Sequence, residues 1–198
     1  RCVRACPVKA IQVTGGQAFV KDSLCIKCGT CVRECPQGAK TIRGSLAQVR
    51  RLLAENSRVV ASVAPSFPAV FTGWRAGRLP AALRLLGFRH VAETAEGADK
   101  TTVASFDRPQ RGNVCTACPA VVNYIEMYRP EYVSQLIPVV SPMVAHGRML
   151  KKRYGKDCAV VFIGPCAAKK SEALRPENAD AIDAVITFNE LLSWLEEE

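Results

Sequence analysis

The chain has 198 residues, 48% of them hydrophobic, a formal net charge of +9 and 10 cysteines. That composition can bury a core and hold a small domain beside a larger one, and no apolar run approaches the roughly 18 residues of a membrane span. The positive charge is spread over arginines and lysines without an aromatic ladder or nucleic-acid motif. It reads as a solvated surface suited to an acidic redox partner, not as a nucleic-acid face.

The first element is a cysteine framework. Cys2-Val3-Arg4-Ala5-Cys6-Pro7 recurs as Cys31-Val32-Arg33-Glu34-Cys35-Pro36, 29 residues later (2 to 31, 6 to 35). With Cys25 and Cys28 the second copy becomes C-x-x-C-x-x-C-x-x-x-C-P, the bacterial ferredoxin ligand string, whose fourth cysteine serves a neighbouring [4Fe–4S] cluster. By that exchange Cys6, Cys25, Cys28 and Cys31 complete one cluster. Cys2 and Cys35 belong to a second, whose other two ligands would precede Arg1, so the chain reads as starting inside a ligand string. Zinc is the rival for any C-x-x-C pair, but a zinc ribbon needs neither four cysteines in one tight string nor duplicated Cys-Pro endings. A disulfide framework suits small secreted domains; free thiols and oxygen-sensitive clusters point to the cytoplasm.

Residues 1–43 are read as this ferredoxin-like α+β module, with Ile11–Thr14 and Ala18–Lys21 as a hairpin around Gly15-Gly16. Residues 44–57 are a connecting helix, its start marked by a Ser45/Gln48 capping box and its stripe by Leu46, Val49, Leu52 and Leu53. Residues 58–198 alternate strand, loop and helix. Strands are predicted at Val59–Val63, Arg89–Ala92, Asn113–Thr116, Ala159–Ile163 and Ala184–Ile186. Pro80–Leu86 is a short helix ended by Gly87, and Pro119 opens a helix with Val122, Ile125 and Tyr128 on one face. Ser141-Pro142 caps a helix closing on Lys151, Lys152, Arg153 and Gly155, and Thr187 with Glu190 caps the last. The alternation predicts an α/β lobe with a largely parallel sheet. Glu196, Glu197 and Glu198 sit unfavourably at a helix C-terminus, which reads as a second cut end.

Ligands in open α/β sheets bind beyond the carboxyl ends of strands. Three predicted strands run into unusual loops there: Ala64-Pro65-Ser66, Thr116-Ala117-Cys118-Pro119 and Gly164-Pro165-Cys166. Cys118 stands at a helix N-terminus, which favours a thiolate. Lys169 can offer charge or a hydrogen bond to an anionic ligand, and Glu172 can fix that lysine. Taken singly, each cysteine suits core packing and Lys169 suits solvent. Two such loops behind a ferredoxin module favour a metal centre.

With these motifs in order the chain resembles the iron-only [FeFe] hydrogenases and their relatives over almost its whole length. That family's T-S-C-C-P signature corresponds to Cys115-Thr116-Ala117-Cys118-Pro119, and its M-P-C-x-x-K-x-x-E signature to Gly164-Pro165-Cys166 with Lys169 and Glu172. The resemblance implies that Cys118 and Cys166 ligate the [4Fe–4S] cube of an H-cluster and that Lys169 donates to a cyanide of its diiron site. It also implies that Ala64, Pro65 and Ser66 line the same pocket. Ala117 replaces the family's proton-relaying cysteine and Gly164 its methionine, departures that resemble the sensory, low-turnover branch. The signature carrying the remaining cube ligands is absent, so the diiron site is expected only in a full-length protein and this segment alone is expected to be inactive. Cys115 is read as a buried strand thiol and Cys158 as a core residue; His90 and His146 are read as lacking partners and as surface or packing residues.

The leading expectation is therefore an electron-transfer segment of a hydrogenase that interconverts H2 with protons and electrons. Its partners would be a redox protein or an appended sensor domain. The alternative is a non-enzymatic iron–sulfur scaffold or assembly relative without a diiron site. A zinc-binding, nucleic-acid-associated module is a distant third.

Overall fold

The computed structural model describes residues 1–108 and 113–197. The two Cys-Val-Arg repeats each wind into one short helix, α1 (Cys2–Ala5) and α2 (Thr30–Arg33), and the two helices touch. Between them β1 (Ile11–Thr14) and β2 (Gln17–Val20) pair antiparallel, with Thr14 opposite Gln17. Gly15 and Gly16 both have positive φ, 57° and 76°, the backbone a two-residue type I′ hairpin turn demands. That turn starts β2 one residue before the predicted Ala18. Cys6, Ala10 and Ile11 form a small core of their own.

α3 (Leu46–Glu55) follows and buries Val49 completely. Its predicted capping box does not form. The Ser45 N–H donates to Glu190 Oε1 at 2.7 Å, the Ser45 hydroxyl accepts from Lys170 at 2.8 Å, and Gln48 donates to the Asp183 carbonyl at 2.9 Å. Partners distant in sequence have taken both ends of the box.

The larger lobe is built on β3 (Val59–Val63), β4 (His90–Glu93), β5 (Ala159–Gly164) and β6 (Ala184–Thr187), a four-stranded parallel sheet in the order β4-β3-β5-β6. Every residue of β3, β5 and β6 is buried, as in parallel sheets covered on both faces. The helices are α4 (Trp74–Leu85), α5 (Ala95–Phe106), α6 (Pro119–Tyr128), α7 (Pro142–Tyr154), α8 (Ala168–Ala173) and α9 (Phe188–Glu197). α7 lies on β3 and β5 with α5 against it, while α3 and α9 reach β6.

Several sequence expectations shift. Asn113–Thr116 is not a sheet strand: Val114 makes only an isolated parallel bridge to Leu136. The predicted Arg89–Ala92 strand is offset by one, although the Arg89 N–H still donates to the Val59 carbonyl at 2.9 Å. The Pro80–Leu86 helix begins much earlier, at Trp74, and contains Pro80 in its interior, where the missing N–H leaves the Ala76 carbonyl without its usual partner. α5 had no counterpart in the sequence reading. Its buried residues are Gly97 and Thr101, so its inner face shows no apolar stripe. A Cβ on Gly97 would lie 2.7 Å from His146 Cβ and against the Pro142 carbonyl, which shows how closely α5 and α7 approach. At the end of α9, Glu197 pairs with Arg50 at 2.5 Å; Glu198 lies outside the described residues.

Candidate metal centre

Cys6, Cys25, Cys28 and Cys31 line one small concavity in the cysteine module, with Ile26, Gly29 and Thr30 between them. Among the described residues no three His, Cys, Asp or Glu side chains are grouped so as to hold a single metal ion; the four cysteines share the lining of one small space. Two sulfurs already accept backbone N–H groups, Cys6 Sγ from Ala10 at 3.2 Å and Cys25 Sγ from Lys27 at 3.4 Å. Such bonds tune the potential of a cluster. Burial raises the Cys31 thiol above its usual range, and the neighbouring Cys25 and Cys28 sulfurs add to the rise. Crowded thiolates of this kind are relieved by a shared cation centre, so the donor set fits a [4Fe–4S] cluster. Cys2 packs against the small core around Cys6. Cys35 is held below the ordinary thiol range by N–H groups of Gln37 and Ala39, with a smaller share from Lys40, an environment that suits a metal-bound thiolate.

The second set of residues gathers at the carboxyl ends of β3 and β5. Ala64 continues from β3 and its N–H donates to the Ile163 carbonyl at 2.8 Å, so Ala64-Pro65-Ser66 lies beside Gly164-Pro165-Cys166. Ala64 is buried; Pro65 and Ser66 are exposed. Cys118 is the exposed N-cap of α6, with Pro119 first in the helix. No sheet strand delivers it; α6 packs against α8, and Lys169 closes the gap. Lys169 Nζ donates to the Ala117 carbonyl at 2.9 Å and to Glu172 Oε2 at 2.6 Å. The lysine and glutamate side chains are only 11% and 9% exposed, so the solvated alternative for Lys169 does not hold. These contacts use two of the three ammonium donors. The arrangement sets two cysteine loops around one buried, fixed cation, a donor set that fits an anionic, iron-bearing group.

α8 is anchored on its other side as well. Lys170 pairs with Glu190 at 2.9 Å. Burial alone would raise the Glu190 carboxyl, but the Thr187 N–H, Lys170, the Ser45 N–H and the Thr187 hydroxyl outweigh it and hold it below the usual carboxylate range. Thr187 and Glu190 form the predicted reciprocal cap, at 2.7 Å and 3.2 Å.

Residues to which the sequence assigned no site role tie the two regions together. Tyr128 Oη donates to the Leu24 carbonyl at 2.7 Å and Asn123 Nδ2 to the Ile26 carbonyl at 3.2 Å. Arg175 donates to Asn123 Oδ1 at 2.7 Å and grips Glu126 with both terminal nitrogens, at 3.1 Å and 2.7 Å. The helical spacing gave Tyr128 as an apolar-face residue; its polar tip was the available signal.

Three other expectations are corrected. Cys115 is exposed, since its segment joins no sheet, and with Ala117 it lines a largely apolar cavity of about 480 Å³ between that segment and α5. His146 is fully buried and does have a partner: its Nδ1 lies 2.8 Å from Ser62 Oγ, which is 2.9 Å from Thr94 Oγ1. His90 stacks on Tyr154, with ring centres 4.1 Å apart. Cys158 is buried in the core as expected.

Fold and cysteine geometry define an α/β iron–sulfur redox protein. Residues 57–198 match the family described as "Iron only hydrogenase large subunit, C-terminal domain", and residues 1–40 match a "4Fe-4S dicluster domain". The chain belongs to the iron-only hydrogenase large-subunit family. It is 33% identical over 205 residues to the NADP-reducing hydrogenase subunit HndD of Solidesulfovibrio fructosivorans, covering 86% of this chain and 35% of that protein. It is 32% identical over 114 residues to the cytosolic Fe-S cluster assembly factor NAR1 of Vanderwaltozyma polyspora, covering 57% of this chain and 22% of that protein. A variant of [FeFe]-hydrogenase HydA1 from Chlamydomonas reinhardtii superposes with a TM-score of 0.61 at 26% identity, covering 78% of this chain and 47% of that one. The chain thus spans less than half the length of each. No helix among the described residues is long and apolar enough to cross a membrane.

Proposed function

We propose that this chain is the electron-entry and first H-cluster segment of a sensory-type, low-turnover [FeFe] hydrogenase that interconverts H2 with protons and electrons. The observation that carries the reading is Lys169, buried, fixed by Glu172 and set between the Cys118 and Cys166 loops with one donor left for an anionic ligand. Residues 1–43 hold the ferredoxin clusters, residues 44–57 connect, and residues 58–198 hold the catalytic pocket. Cys6, Cys25, Cys28 and Cys31 make a complete cluster site, while Cys2 and Cys35 are half of a second. Cys118 and Cys166 supply two cube ligands, and Ala64, Pro65 and Ser66 form a wall of the pocket. The bound H-cluster supplies the redox chemistry of hydrogen; the chain's part is to hold it, donate to it from Lys169 and deliver electrons. Ala117 carries no titratable atom, so the pocket lacks a proton relay at that position, which accounts for low turnover. A redox protein or an attached sensor domain would exchange the electrons, and the free thiols suit the cytoplasm.

The second reading is an iron–sulfur scaffold without a diiron group. It is favoured by the similarity to the assembly factor NAR1 and by the same Ala117. Hydrogen turnover of the matured intact protein tests the two. The hydrogenase reading expects slow turnover that rises at least tenfold in Ala117→Cys. A protein inert in both forms supports the scaffold, and turnover unchanged by Ala117→Cys removes the impaired-relay argument.

A further inference from the structure

The complete cysteine site sits on a loop that α6 grips from outside. Leu24 and Ile26, the residues on either side of Cys25, give their carbonyls to Tyr128 and Asn123. Two residues of extended chain span roughly 7 Å, and the five residues from Asn123 to Tyr128 rise about 7.5 Å along a helix. The two bonds therefore match in spacing, and they fix the loop antiparallel to α6. Cys118 caps that same helix five residues before Asn123, about 7.5 Å further along its axis. Ile26 is buried, and Arg175 holds the opposite edge of Asn123 while gripping Glu126. Arg175 itself lies just beyond α8, the helix of Lys169 and Glu172.

We infer that Asn123 and Tyr128 are positioning residues, a two-point clamp that sets the distance between the Cys25 loop and Cys118 and so the electron coupling between the two cysteine sites. The inference deepens the proposed function, since it concerns how electrons reach the second site, but it needs only clusters at both sites. With clusters bound, Cys6, Cys25, Cys28 and Cys31 would hold the donor and Cys118 and Cys166 the acceptor of a single electron. No bond or proton changes at the clamp. The coupling for such a transfer falls exponentially with separation, so a loop freed by an ångström or two loses rate without losing its cysteines. The hydrogen bonds of both residues to the loop go to its backbone carbonyls, so each acts through the loop's backbone.

The test uses the intact, cluster-loaded protein reduced with dithionite. Tyr128→Phe removes only the hydroxyl, Asn123→Ala removes the second bond, and the double variant removes both. The readouts are iron content, the magnetic coupling between reduced clusters in electron paramagnetic resonance, and the rate of electron transfer between the sites after rapid reduction. Iron content should stay at the wild-type value, the coupling should weaken in each single variant, and the transfer rate should fall at least tenfold in the double variant. Gly97→Ala, whose added Cβ would meet Pro142 and His146 and not the clamp, should leave coupling and rate unchanged although it lowers stability. Coupling and rate unchanged in Tyr128→Phe and in the double variant would overturn the inference. So would an equal loss in Gly97→Ala. A wild type with coupled clusters but no hydrogen chemistry would instead overturn the hydrogenase reading and leave the clamp standing.

Discussion

Removing the carboxylate of Glu172 probes the pocket at its most buried charge. Lys169 and Glu172 are 2.6 Å apart with side chains 11% and 9% exposed. At an effective dielectric near 20 their attraction is about 6 kcal/mol before desolvation is subtracted. Glu172→Ala leaves the ammonium with the Ala117 carbonyl in place of its carboxylate partner, and stranding one partner of a buried pair costs about 3–5 kcal/mol. Lys169→Met with Glu172→Leu removes both charges and should cost much less than the sum of the two single changes. Urea unfolding of the anaerobically loaded protein, followed by two probes, reads this out. With a slope of about 2–3 kcal/mol per molar, the Glu172→Ala midpoint should fall by about 1–2 M. A shift below about 0.3 M at unchanged slope, or strict additivity in the double variant, would refute a buried, mutually dependent pair.

Other expectations concern the sheet and its helices. Burial holds His146 below the ordinary histidine range, with Glu96 opposing and Arg153 adding to the fall. The unfolded chain therefore takes up that proton first, and stability, whole above about pH 6.5, falls as pH drops toward the folded value. His146→Gln should flatten this limb in a pH series of unfolding midpoints. Glu190, held low in the fold, contributes stability that is present above the ordinary glutamate range and lost as pH falls through its lowered value, so Glu190→Gln should flatten only the more acidic limb. Gly97→Ala should cost about 1–3 kcal/mol by overpacking α5 against α7, measured by the same unfolding midpoint. Gly164→Met restores the family residue, but a Cβ there would meet the Phe162 ring at 2.6 Å and 2.7 Å. It should destabilise alone, and less than additively with Phe162→Ala.

How much of this was legible in the sequence depends on what each residue had to do. The cysteine string and the buried parallel strands could be read because their signals are local: fixed ligand spacing, an unbroken apolar run at Ala159–Ile163, and one at Val59–Val63 interrupted by Ser62 alone. α5 could not, because the helix packs through Gly97 and Thr101 and its apolar Val103 and Phe106 face outward. Asn113–Thr116 has a strand's composition, but pairing needs a neighbour, and Val114 finds only Leu136. That is also why Cys115 is exposed and why the segment before Cys118 is tied to α8 by Lys169 and helix packing instead of a shared sheet. Spacing linked Lys169 to Glu172 but said nothing of burial. Nor could a local pattern reveal His146 meeting Ser62 or Tyr128 meeting Leu24, contacts separated by 84 and 104 residues.

The central claim is that Cys118, Cys166 and Lys169 belong to a hydrogenase pocket fed by the ferredoxin-type site. Infrared spectroscopy of the matured intact protein tests it most directly. Bands from iron-bound CO and CN⁻ are expected, shifted in Lys169→Met and lost in Cys166→Ala. A protein that carries its iron–sulfur clusters but shows no such bands contradicts the hydrogenase claim.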